Sequence, residues 1–340
     1  MRSGTGRRGA ALVAALFAAV AVTACAADVP EADPADDGAD ALVWTGDDVD
    51  LDGAELAIGS KESVENEVLG WIAVEAARAA GASVHQEIGA GGTAVVRQAQ
   101  LSGLIDAYWE YTGTGWQAIL DQSNPAGTPD ELYEDVRDRD ARLNQIDWLP
   151  PAPANSAYAF AATSETIDEL GVRTLADLAE AIEREDAGPS ICLDEESGFA
   201  DDPEGLRQFE EAFGVQVEPT ASLATDELYE QVEAGLFCQV GQVLNTDPRL
   251  AAGSIEVLED AGTFTIYNPS MTIRQDVVAE AAGFEQLVAQ LSPRLTDEVV
   301  RALRAEVELE GTPAREVARA WLTDEGLVQA PSTTTQEGEG

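Results

Sequence analysis

Basic residues are scarce in this 340-residue chain, where 19 Lys and Arg stand against 64 Asp and Glu for a formal net charge of −45. A surface this acidic repels polyanions, which excludes nucleic acid and an anionic membrane face as partners of the folded body. It reads as a solvated surface rather than a field drawing in a cationic ligand, because salt screens exposed charges within about 10 Å. Lys61 is the only lysine. Histidine also occurs once, as His85 between Val84 and Gln86, and reads as a strand-edge residue. Histidine-based nucleophile sites and the H-x-x-x-H metal motif therefore fall away, and G-x-S-x-G and G-x-x-x-x-G-K-[ST] are missing too. No catalytic residue, metal or cofactor is assigned. After the first two dozen residues no apolar run nears the length of about 18 that a membrane span needs.

Arg2, Arg7 and Arg8 precede a small apolar run, Gly9 to Val22, which ends in Val22-Thr23-Ala24-Cys25. That order of charge, apolar core and small residues is a secretory leader. Residues 1–24 are expected to be a lipoprotein signal peptide, with Cys25 resembling the lipobox cysteine that is diacylated to become the mature N-terminus. Residues 25–52 predict an acidic disordered tether and 331–340 a disordered tail. The folded body is thus expected outside the cytoplasm, on the cell membrane only through that lipid anchor, and as a monomer. Cys192 and Cys238 remain, and in an exported chain they are expected to form a disulfide, since neither has a nearby base of the kind that marks a catalytic thiol.

The body reads as α/β. Glu55 to Gly59, Ala82 to Ile88 and Leu104 to Tyr111 are strand-like, and between them lie helices capped by Ser63 and starting at Thr93. Thr128-Pro129-Asp130-Glu131 opens a further helix. The proline-rich run from Trp148 to Ala154 marks a crossing, after which strands at 157–161, 190–193, 215–218 and 237–244 alternate with helices. Strands at 255–258 and 264–273 then precede three helices that have no strands between them. The expectation is two lobes, 53–154 plus 249–330 and 155–248, with a ligand cleft between them.

Within that cleft the informative residues are aromatic rings beside turns: Tyr111 in E-Y-T-G-T-G, Tyr158 in N-S-A-Y-A-F and Tyr267 in T-I-Y-N-P. A quaternary ammonium group has no N–H to donate, so it is recognised by the negative faces of such rings, at about 0.5–2 kcal/mol each. A ligand carboxylate would need a cation and N–H or O–H donors, which Lys61 with Thr112 or Thr114 can supply. The glycine run 89–92 lacks the G-x-G-x-x-G spacing of a dinucleotide turn. An exported enzyme or a sensory lobe acting on a small polar cationic metabolite stands as the alternative.

Gly59-Ser60-Lys61, Gly91-Gly-Thr-Ala-Val-Val-Arg97, Glu110-Tyr-Thr-Gly-Thr114, the 155–160 crossing, Thr246-Asp247 and Tyr267-Asn268-Pro269 together resemble the glycine betaine, choline and carnitine-binding lipoproteins of osmoprotectant ABC importers. The resemblance spans about Glu55 to Leu322. It implies a type II periplasmic-binding-protein fold that closes on a small quaternary-ammonium ligand and delivers it to ABC permease subunits. It also implies cage roles for Tyr111, Tyr158 and Tyr267, and carboxylate-binding roles for Lys61 and a threonine among 112–114. Two positions depart from it: Asp202 stands where an arginine gripping the ligand carboxylate is implied, and Leu244 where a cage aromatic is. Either Asp202 repels a betaine carboxylate and favours choline or another cationic amine, or it faces solvent and leaves the carboxylate to Lys61.

Overall fold

The computed structural model describes residues 41–123, 127–184 and 188–331. The expected leader 1–24, the lipidation site Cys25 and all but the first residue of the tail 331–340 lie outside the described residues. The first described strand, β1 (Val43–Trp44), pairs antiparallel with the last, β12 (Val328–Gln329). Of the disordered tether expected over 25–52, residues up to 40 lie outside the described residues, while 42–52 join the body because a few apolar side chains among the aspartates dock on the core. Leu42 and Trp44 pack against it, and Leu51 is buried within it.

Alternation of short apolar runs with capped helices builds the first sheet. β2 (Glu55–Gly59) lies between β3 (Ser83–Glu87) and β4 (Ala107–Tyr111), parallel to both. β5 (Ile146–Trp148) and β11 (Pro269–Arg274) complete the order β3-β2-β4-β11-β5, with β11 antiparallel to both its neighbours. Helix Val64–Ala79 starts where Ser63 Oγ accepts the Asn66 N–H, and its first turn carries Glu65 and Glu67, whose charges suit a helix N-terminus. Its apolar side packs against β2 and β4 and against the late helices Gly283–Leu291, Asp297–Glu308 and Ala314–Asp324, which close one core. His85 lies on the edge strand β3, exposed and paired with Glu87 at 2.8 Å.

The second sheet has the order β10-β6-β9-β7-β8, from β6 (Tyr158–Ala162), β7 (Ile191–Asp194), β8 (Ala221–Leu223), β9 (Val240–Leu244) and β10 (Glu256–Val257). A capping box between Thr174 and Asp177 starts one of its helices, Leu175–Ile182. Its core is aromatic, with Phe160, Phe199, Phe209 and Phe264 in edge-on or tilted contact. Two expectations are corrected here. Residues 215–218 form no strand: Val215 and Val217 are buried, but the Val217 N–H goes to Glu210 Oε1, Pro219 has no N–H to give, and pairing with β7 waits for β8. The second lobe does not end at residue 248 either, because β10 pairs with β6 and Phe264 belongs to its core.

The two sheets meet where three chain segments touch. Asn245 Nδ2 donates to Asn155 O at 3.0 Å, Tyr267 N to Asn155 Oδ1 at 2.8 Å, and Asn268 Nδ2 to Ala154 O at 2.8 Å. Helix Asp297–Glu308 clamps this junction from the first lobe, with Asp297 accepting the Asn155 N–H and Arg301 donating to Asn245 O and Oδ1. Within the second lobe Cys192 and Cys238 are joined across a sequence separation of 46 residues. Removing that link with Cys192→Ala/Cys238→Ala is expected to cost about 4 kcal/mol. Urea denaturation reads this as a lower midpoint with the cleft residues untouched; an unchanged midpoint would show that the link adds nothing.

Candidate functional site

Strand ends and the sheet junction place the polar residues. Lys61 follows the carboxyl end of β2, and Tyr111 ends β4, where the backbone turns at once into the short helix Thr112–Thr114. Register carries Tyr267 to the same place, because Pro269 pairs with Tyr111. Gly113 allows the close approach: a Cβ there would lie 2.7 Å from the Tyr267 ring and 2.8 Å from Ile266 O. Thr112 is fully buried and serves this junction, donating to Ile266 O and accepting the Asn268 N–H, both at 3.2 Å.

A cavity of about 410 Å³ opens here, lined by Lys61, Glu65, Tyr111, Thr114, Tyr267 and Arg304, with Leu244 and Thr246 contributed from the end of β9 and beyond. Its charges are paired. The Lys61 ammonium bonds Glu110, which is completely buried and also accepts the Tyr108 hydroxyl at 3.1 Å and the Tyr111 N–H at 2.8 Å. The same ammonium lies 4.4 Å from the centroid of the Tyr111 ring, so one face of that ring already holds a cation. Opposite it, Glu65 accepts from four donors: Tyr111 Oη at 2.6 Å, Thr246 Oγ1 at 2.7 Å, Arg304 Nη1 at 3.3 Å, and Ser156 Oγ. Arg304 also donates to Thr246 O at 2.9 Å and, through Nε, to Glu308 at 2.8 Å. Burial opposes its charge, yet Glu65, Glu308 and Asp247 outweigh that and hold the guanidinium above its ordinary value.

Tyr158 and Asp202 do not line this cavity; they form the wall beside it. Tyr158 opens β6 opposite Leu244, and its hydroxyl lies 3.0 Å from Asp202 Oδ2 and 3.2 Å from Ser197 O. Asp202 is thus turned inward onto Tyr158 rather than out to solvent, and its Oδ1 accepts the Glu204 N–H at 2.9 Å. The Tyr267 hydroxyl joins the two regions, 3.1 Å from both Glu204 Oε2 and Gln117 Oε1, while Gln117 Nε2 bonds Glu204. Burial pushes the hydroxyls of Tyr111, Tyr158 and Tyr267 well above their usual titration range, and the neighbouring carboxylates Glu65, Asp202 and Glu204 push the same way. All three stay neutral phenols near neutral pH, donating to carboxylates.

Of the residues singled out from sequence, Lys61, Tyr111, Thr114 and Tyr267 share the cavity, Tyr158 and Asp202 stand in the adjoining wall, and Thr112 is structural. Sequence reading missed Glu65, Arg304, Gln117 and Glu204. Glu65 shares its first turn with Glu67 and looks like any N-terminal acid, while Arg304 with Glu308 has the i, i+4 spacing of a surface ion pair. Only the fold turns them inward.

Comparison with known proteins adds to this geometry. The family model for the substrate binding domain of ABC-type glycine betaine transport system matches residues 54–324. The glycine betaine-binding protein YehZ of Escherichia coli strain K12 is 28% identical over 279 residues, covering 80% of this chain and 90% of that protein. A glycine-betaine-binding protein of Pseudomonas aeruginosa is 30% identical over 290 residues, covering 80% and 88%. Among solved structures, apo YehZ from Escherichia coli superposes with a TM-score of 0.71 at 27% identity, covering 81% of this chain and 100% of that one. The two-lobed type II binding-protein architecture is shared with it.

The network around Glu65 makes a direct prediction. Glu65→Ala leaves Arg304 without its buried partner and removes the acceptor of the Tyr111 and Ser156 hydroxyls and the shorter bond of Thr246, an effect of about 3–5 kcal/mol. Chemical denaturation should show the loss, smaller in Glu65→Gln, and a midpoint equal to that of the parent would contradict the role given to this carboxylate.

Proposed function

Because this chain belongs to the family of substrate binding domains of ABC-type glycine betaine transport systems, we propose that it captures a small quaternary-ammonium osmoprotectant in the cleft between its lobes and hands it to the permease subunits of an importer. The observation that carries the reading is the cavity that brings Tyr111 and Tyr267 together with Lys61 and Arg304. Its volume of about 410 Å³ suits a small ligand. The rings offer apolar, negative faces to a trimethylammonium group, and the cations and Thr114 offer donors to its polar end. The relatives named glycine betaine-binding proteins support the same ligand class. Such a protein holds and releases its ligand unchanged.

The lobes follow the two sheets in this reading, residues 53–154 with the late helices forming the first and the chain from 155 to about 264 the second. The protein works outside the cytoplasm as a monomer, tethered through a lipid on Cys25. Among the described residues no helix is long and apolar enough to cross a membrane.

Calorimetric titration with glycine betaine, choline and carnitine tests the ligand class. Saturable binding of at least one is expected, and no binding of any of the three overturns the reading. Tyr267→Leu keeps the bulk but removes the ring, and is expected to weaken binding about 3- to 30-fold, the worth of one cation–π contact. For the anchor, labelled palmitate should enter the full-length protein in its native type of host and not enter Cys25→Ala; equal labelling removes Cys25 from the account.

A further inference from the structure

The lining of the cavity holds two cations, Lys61 and Arg304, and two carboxylates, Glu65 and Glu308, both of which accept from Arg304. Two further carboxylates lie outside the lining, where Glu204 meets the Tyr267 hydroxyl and Asp202 meets that of Tyr158. A ligand that carries an anion as well as a cation can engage these lining cations, which a ligand with a cation alone cannot.

Of the two lining cations, Lys61 is committed to Glu110 and to the Tyr111 ring. Arg304 is only partly committed. A guanidinium carries five N–H donors. Nε is used by Glu308, and Nη1 by Thr246 O and Glu65, whereas Nη2 has no partner among the described residues. The side chain is 15% exposed and lines the cavity, and its bonds to Glu308, Glu65 and both oxygens of Thr246 fix its orientation before any ligand arrives. The carboxylates around it are themselves occupied: Glu65 by four donors, Glu110 by Lys61, Tyr108 and a backbone N–H. At the wall beside the cavity the structure places an acid, Asp202, not a cation.

We infer that Arg304 recognises the carboxylate of a zwitterionic ligand through Nη2, with Lys61 as the second cation, and thereby sets the preference for a carboxylate-bearing quaternary amine over an alcohol-bearing one. This rests on the capture function proposed above and names the residue and the ligand subclass. Arg304 acts by direct contact, and its bonds to Thr246 and Glu308 are what hold it for that contact.

The test titrates glycine betaine and choline into the parent protein, Arg304→Gln and Arg304→Lys, with thermal melting to check folding. The parent is expected to bind betaine more tightly than choline. Arg304→Gln should weaken betaine at least about thirtyfold more than it weakens choline, and Arg304→Lys, which keeps the charge but not the fork, should lie between. Choline binding the parent more tightly than betaine overturns the inference and leaves the capture function standing. Betaine binding equally well to Arg304→Gln also overturns it. So does an equal loss of both ligands in the two variants together with a lowered melting temperature, which marks a structural role. A parent protein that binds neither ligand defeats the capture function itself, a result separate from all of these.

Discussion

The carboxylate of Glu65 is buried at the N-terminal turn of helix Val64–Ala79, and its four donors come from four different parts of the chain. Tyr111 ends a strand of the first sheet, Ser156 and Thr246 belong to segments that run between the lobes, and Arg304 projects from the helix that clamps the junction. Burying a carboxylate costs several kcal/mol unless hydrogen bonds and an opposite charge replace its water. The helix N-terminus and Arg304 supply the charge, and the three hydroxyls complete its shell. That requirement fixes the relative position of all four segments at the floor of the cavity. The cavity residues are placed precisely because one buried charge has to be satisfied.

A second set of carboxylates works through phenols. Asp202 and Glu204 accept from Tyr158 and Tyr267 rather than from cations, so the aromatic wall carries negative charge behind its rings. Gln117, reaching from the first lobe, bonds the same Glu204. Tyr267 and Gln117 thereby meet the second lobe through one carboxylate, and the large net acidity of the chain has a local counterpart beside the cavity.

Much of the architecture was legible in the sequence because its signals are local. Ser63, Thr128 and the Thr174–Asp177 box cap helices where side-chain oxygens precede apolar runs, and the β–α alternation from Glu55 to Tyr111 forms as read. Local signals also mislead in identifiable ways. Val215 and Val217 look like a strand but lose their ladder to Pro219 and Glu210, and the aspartates around Trp44 hide an anchored segment. At the site, tyrosines beside turns were visible as types, and a combination of short motifs carried the family resemblance. Their partners were not visible, since Glu65 and Arg304 are 239 residues apart and nothing near either residue predicts the other. Asp202 was visible as a departure, but only the hydroxyl of Tyr158 explains where its charge goes.

The pairing of Val43–Trp44 with Val328–Gln329 has a mechanical consequence. A pull on the N-terminal side of residue 43 enters the body through this two-residue ribbon and the Trp44 side chain, on the core of the first lobe. The load path is short and ends far along the chain from the segments at 155, 245 and 267 that join the lobes. Tension on the N-terminal end is then borne by the first lobe. A load applied at that end would bypass the hydrogen bonds that join the lobes.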